Sequence, residues 1–277
     1  MEIISLFSGA GGLDYGFHKA GFRTVVANEY DPKICPTFRA NFPNTTLIEG
    51  GIRKIPSSAF PKNITGIIGG PPCQSWSAGG AKRGIEDSRG QLFWDYIRIL
   101  NAKNPKFFVA ENVKGMLSPR HRSALESFKD AFQNAGKYGY DLFFQCVNAA
   151  DYGVPEDRYR VLFIGFRKDL NINYSFPEPI SPENARVTLR DAIGDLAGIN
   201  PIPLKNEIVD IERIQSSFLN HEYMESGYSS IYMSRNRVKG WDEVSFTIQA
   251  SGRQAPIHPQ APKMELVEKD VRRFVPG

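Results

Sequence analysis

Cys73 is one of three cysteines in the chain and sits in GGPPCQSWSAGG, residues 69–80. Pro71 and Pro72 fix the backbone before it and offer no amide hydrogen. Gln74, Ser75, Trp76 and Ser77 make a polar context, unlike that of a cysteine used as a small buried hydrophobe. A thiol on so stiff a support, followed by a glycine-bearing loop, suits a nucleophile, which needs an electrophile and a helper. Glu111 and Asn112 end the apolar run KFFVAEN, and Arg158 and Arg160 stand two apart in DRYR, facing one way if extended. Singly, each has a plain reading: a solvated strand-end acid, or surface ion-pair donors. A cysteine, a glutamate and two arginines, all at expected strand ends, make a better case together.

A second constellation lies near the start. LFSGAGGLDYGF follows one apolar run and opens a helical pattern. Gly9 and Gly11 fit a loop that lets a ligand approach the backbone, but Asp14 stands where the dinucleotide fingerprint needs its third glycine. An acid there disfavours a pyrophosphate and suits the ammonium of an amino-acid-bearing nucleoside. Glu29, twenty residues after Gly9, could accept both ribose hydroxyls, and Tyr30 could lie against an adenine. The plain alternative is a tight turn with an ordinary surface acid.

The elements that must position these residues follow from the apolar pattern. EIISLF, TVVANE, TTLIEG, ITGIIGG, KFFVAEN, LFFQCVNA and RVLFIGF read as short strands, several apolar on both faces. Helical patterns span Asp14–Ala20, Pro32–Asn41, Gln91–Lys103 and Arg122–Asn134. The alternation predicts a doubly wound, mostly parallel α/β sheet over residues 1–170. After about Arg167, NINYSFPEPISPENARVT reads as a linker, and residues 171–277 as a smaller, loop-rich domain. The 277 residues carry a net charge of +4, which tolerates an anionic partner without demanding one. Three scattered cysteines exclude a disulfide framework or a zinc site, and no metal is expected. No run approaches a membrane span, so a soluble protein of a reducing compartment is expected.

In this order the residues resemble the C5-cytosine DNA methyltransferases, essentially from end to end. LFSGAGGLDYGF is similar to the first family motif, ANEYD to the second, GGPPCQSWS to the fourth and DSRGQLFWDYIRIL to the fifth. AENVKGM is similar to the sixth and NAADYGVPEDRYRVLFIGFR to the eighth. The resemblance implies S-adenosylmethionine as methyl donor, held by Phe7, Gly9, Gly11, Leu13, Glu29, Tyr30, Gly51, Ile52, Pro71 and Leu92. It implies that Cys73 adds to C6 of a cytosine flipped from double-stranded DNA. Glu111 would then bond N3 and the exocyclic amine, and Arg160 and Arg158 the O2 side. SSIYMSRNRVKGWDEVSFTIQASGRQAPIHPQAPKM resembles the recognition segment of methyltransferases with GG…CC targets, GGCC first among them. Arg235, Arg237 and Arg253 stand there among small residues, and arginine donates twice to guanine O6 and N7. From Ser229 to Lys263 five Lys/Arg oppose two Asp/Glu, which suits phosphates. A bacterial, nucleoid-associated cytoplasmic enzyme protecting DNA from a cognate restriction enzyme is the implied role.

Three departures qualify it. The third motif usually reads Gly-Asp-Ile, and here is Gly50-Gly51-Ile52, so an adenine contact worth about 0.5–1.5 kcal/mol is expected to be missing. Glu156 stands where the eighth motif usually has glutamine, which puts a negative charge near DNA. Segments resembling the ninth and tenth motifs are not found before RRFVPG. The expectation is therefore a methyltransferase served by a complementing C-terminal polypeptide, or an impaired remnant that still binds DNA or cofactor.

Overall fold

The computed structural model describes residues 1–72, 91–204, 222–224, 238–248, 258–262, 265–268 and 271–273. The chain divides into two compact units. One is Met1–Val147 with Arg160–Pro177, the other Asn148–Tyr159 with Glu178–Gly277.

In chain order the first unit's strands are β1 (Glu2–Leu6), β2 (Arg23–Glu29), β3 (Thr46–Glu49), β4 (Gly66–Gly69), β5 (Phe107–Val113) and β6 (Tyr140–Asn148). After the two-residue β7 (Glu156–Asp157) comes β8 (Tyr159–Arg167). Its helices are α1 (Gly12–Lys19), α2 (Cys35–Asn41), α3 (Leu92–Lys103) and α4 (Arg122–Gln133). The sheet runs β3-β2-β1-β4-β5-β8-β6. From β3 to β5 all pairings are parallel, and β8 is antiparallel to β5. The doubly wound, mostly parallel sheet is as expected.

Pleat alternation explains why these runs are apolar on both faces. Ile3, Ile68 and Val109 form one buried cluster, covered by Leu13 and Phe17 of α1. Their neighbours Ile4, Ile67 and Phe108 belong to another, with Phe93 and Tyr96 of α3 and Phe128 and Phe132 of α4. Each large side chain removed from water contributes about 1.5–3 kcal/mol. Tyr96 is wholly buried, and its hydroxyl lies 3.0 Å from the carbonyls of both Ile67 and Val109. That one hydroxyl ties α3 to β4 and β5, and burial pushes its pKa far up, so it stays a neutral donor. The start of the expected linker packs on the sheet: the Tyr174 ring lies 5.4 Å from those of both Phe143 and Phe166.

In the second unit the described elements are β7, α5 (Leu189–Ile193) and short strands β9 (Ile202–Leu204), β10 (Glu222–Met224), β11 (Ser245–Phe246), β12 (Glu265–Glu268) and β13 (Val271–Arg273). Thr188 and Asp191 close a reciprocal capping box at α5. Arg190 grips Asp242 through Nε at 2.7 Å and Nη2 at 3.1 Å. The unit's described strands are paired in twos.

Asp14 corrects one expectation. Its carboxylate does not wait at the helix start for an ammonium. It is fully buried, accepting from Ser5 Oγ on β1 and Thr24 Oγ1 on β2, each at 2.9 Å. It therefore fastens the first turn of α1 to two strands. Burial raises its pKa, and the two hydroxyls pull it down by less. An acid with a raised folded pKa holds its proton more tightly when folded. Its contribution to stability is present below the ordinary 3.8 and is lost as pH rises through the raised value. Asp14→Asn stays neutral throughout. The melting temperature of the variant relative to the parent should therefore climb as pH rises above 3.8. Thermal melts across that range check it, and a flat or falling difference contradicts it.

Candidate active site

β1 ends in the turn that enters α1. Phe7, Gly9 and Gly11 there have φ of +56°, +57° and +91°. Glycine adopts such values without a Cβ penalty, whereas Phe7 must be held there by its packing against the core. The two glycines serve different ends. A Cβ on Gly11 would lie 2.2 Å from the Phe42 ring, so Gly11 lets α2 pack close. A Cβ on Gly9 would meet nothing within 4 Å, so open space stands over that backbone.

Glu29 closes β2 and secures this turn. Its Oε2 accepts from the Gly9 amide, and its Oε1 from the amides of Tyr30 and Asp31, all at 2.8 Å. Charge-assisted bonds of this kind are about twice as strong as neutral ones. Asn28, which the sequence reading passed over, does matching work for β3. Its Nδ2 lies 2.9 Å from the carbonyls of both Ile48 and Gly50. The signal was there: an amide inside the strand pattern TVVANE, next to Glu29. Tyr30 is 74 % exposed, and a Cβ on Gly51 would lie 3.8 Å from its ring. Ile52 is buried, and Leu92 packs against the same core cluster. Leu13 lies in the other cluster, under α1.

These residues fit S-adenosylmethionine on three observations. The space over Gly9 is unfilled. Ser8 Oγ beside it is buried with no hydrogen-bond partner among the described residues. The Glu29 carboxylate is fixed at a strand end, where ribose hydroxyls would donate to it. All three lie at the carboxyl edge of parallel strands, beside β1, which pairs β2 on one side and β4 on the other.

The second half of the site stands on β4, β5 and β8. A Cβ on Gly70 would lie 2.9 Å from Glu111 Oε2, so the glycine makes room for that carboxylate. Buried Asn112 donates from Nδ2 to the Pro71 carbonyl at 3.3 Å, holding the proline support from β5. Arg160 Nε meets Glu111 Oε1 at 2.5 Å, with both side chains partly exposed. The register explains the pair: Arg160 lies opposite Val113, two residues along the same face from Glu111. A donor and an acceptor thus share one spot beside Gly70.

Cys73 lies outside the described residues, as do Arg235, Arg237 and Arg253. Arg158 belongs to the second unit, where its Nη1 lies 3.5 Å from Glu156 Oε1. Lys239, one of the five Lys/Arg between Ser229 and Lys263, pairs with Glu243 at 2.9 Å. Burial raises the pKa of Cys35 and of Cys146, which keeps both as thiols. Among the described residues there is no metal-ligand cluster and no helix long and apolar enough to cross a membrane.

Comparison with known proteins agrees with this geometry. The model of the C-5 cytosine-specific DNA methylase family matches residues 1–276. The Type II methyltransferase M.NgoPII of Neisseria gonorrhoeae is 54 % identical, over all of this chain and 80 % of its own length. M.FnuDI of Fusobacterium nucleatum, also a Type II methyltransferase, is 52 % identical over all of this chain and 78 % of its own. A crystal structure of a prophage-encoded E. coli protein, described as a DNA modification methyltransferase, superposes with a TM-score of 0.64 at 26 % identity. It covers 95 % of this chain and 85 % of that one. The chain therefore belongs to the C-5 cytosine-specific DNA methylase family, and is an S-adenosylmethionine-dependent enzyme of the Type II restriction–modification kind.

Proposed function

We propose that the chain methylates C5 of a cytosine flipped out of a GG…CC site, GGCC first among them, and so shields that site from a restriction enzyme. The observation that carries the reading is the Glu111–Arg160 pair beside Gly70. Flipping costs roughly a few kcal/mol. In the reading, Arg160 and Arg158 bind O2 of the flipped base, and Glu111 bonds N3 and the exocyclic amine. The Cys73 thiolate adds to C6, and the ring electrons move toward C5 and the N3–O2 edge, where these groups offset the developing charge. S-adenosylmethionine supplies an electrophilic methyl group on a sulfonium. C5 takes that methyl, a base or water removes the C5 proton, and Cys73 leaves C6 with its electron pair, restoring the aromatic ring. Residues 171–277 read the target, with Arg235, Arg237 and Arg253 on guanines. Their support is the segment's resemblance to GG…CC readers and the match of arginine to guanine's paired acceptors.

Three outcomes test this. Cys73→Ser should abolish methyl transfer and covalent trapping on 5-fluorocytosine DNA; a serine variant that still traps would remove Cys73 as nucleophile. Gly51→Asp should tighten S-adenosylmethionine binding by up to roughly tenfold, as ~1.4 kcal/mol would. Calorimetry that finds unchanged affinity would mean that the adenine is held without an acid there. Bisulfite mapping should find methylated cytosines flanked by G·C pairs, and Arg253→Ala should cost ~1–3 kcal/mol of discrimination at one base pair. Methylation centred on an A·T-rich motif would refute the target reading.

A further inference from the structure

Glu156 was expected to set a bare negative charge near DNA. In the structure its carboxylate is instead engaged, with 14 % of the side chain exposed. Oε1 accepts from the Ile248 amide at 3.1 Å and lies 3.5 Å from Arg158 Nη1. The surrounding backbone is fastened to the same stretch. β7 and β11 pair in parallel, Glu156 opposite Ser245 and Asp157 opposite Phe246. Ser245 N donates to the Pro155 carbonyl at 3.0 Å, and Thr247 Oγ1 to that of Asp157 at 2.6 Å. From the other side, buried Asn148 accepts from the Arg158 amide at 2.9 Å and donates to Asp157 Oδ1 at 3.0 Å. Asn148 thus fixes the backbone of Arg158, while Glu156 meets its guanidinium. Ile248 leads directly into residues 249–257, which carry Arg253.

We propose that Glu156 is a positioning residue. Its carboxylate aims the Arg158 guanidinium and makes that aim depend on the strand that runs into the target-reading segment. The inference rests on the reading that Arg158 binds the flipped base. A planar guanidinium has many rotamers, and an anchored carboxylate selects among them. Because the same oxygen also holds Ile248, a shift of residues 245–248 moves the anchor. Glu156 thereby links base binding to target recognition.

Steady-state methylation of a cognate duplex and of a duplex with one changed base pair tests this. The proteins are the parent, Glu156→Ala, Glu156→Gln, Arg158→Ala and the double Ala variant. Arg158→Ala should lower kcat/KM by about tenfold or more, as loss of a base contact would. Glu156→Ala should come close to it, with KM for S-adenosylmethionine unchanged and with poorer discrimination between the duplexes. The double variant should be no worse than Arg158→Ala. Glu156→Gln should recover part of the loss, since its amide oxygen can still accept from Ile248. A parent-like Glu156→Ala beside an impaired Arg158→Ala overturns this inference alone, whereas a parent-like Arg158→Ala overturns the base-binding reading. Multiplying losses in the double variant, or a loss that follows weakened S-adenosylmethionine binding, also overturn the inference. So does tighter DNA binding with undiminished turnover in both Glu156 variants, the mark of an acid that merely repels phosphate.

Discussion

The antiparallel pairing of β8 with β5 is the constraint on which the active-site edge depends. Were β8 parallel to β5, its first residues would lie at the opposite end of the sheet from Glu111. Run antiparallel, it starts where β5 ends, and Arg160 falls opposite Val113. A one-residue slip would turn Arg160 to the other face and leave Glu111 without this guanidinium. The register is protected by burial, because the same slip would expose Val161 and Phe163, both wholly buried.

The glycine turn depends on a parallel device. Glu29 gathers three backbone amides from two segments, so the geometry over Gly9 is set from the end of β2 rather than by the turn alone. Asp14 works from beneath, joining α1 to β1 and β2. Both carboxylates are buried. The first is met by three backbone amides, while the second bears a desolvation cost that its hydroxyl partners offset only in part.

Much of this was legible in the chain. The sheet's strands were visible because burial on both faces leaves continuous apolar runs, and the helices because their apolar spacing is regular. Glu111 and Arg160 were visible as polar residues closing or opening such runs. What could not be read depends on partners far along the sequence. Asp14 and Glu29 are both buried acids beside a glycine turn, and only their partners, two hydroxyls for the first and three backbone amides for the second, tell them apart. Gly11 looked like a ligand-facing glycine, yet its missing side chain is filled by Phe42, 31 residues on. The clasp around Glu156 pairs residues about ninety positions apart, which no local pattern encodes.

The path of the chain between its two units bears on synthesis. It leaves the sheet unit after Val147, returns at Arg160, and leaves again after Pro177. β6 has only β8 as its neighbour in the sheet order, so β6 must wait for a strand made after the first excursion. On the ribosome, β5 is therefore an open edge until residues 159–167 emerge, with its backbone donors and acceptors unmatched. Residues 148–158 are the last part of that delay. Lengthening this excursion would prolong the exposure of an apolar edge, and nascent chains would be more open to mispairing even if the finished fold were unchanged.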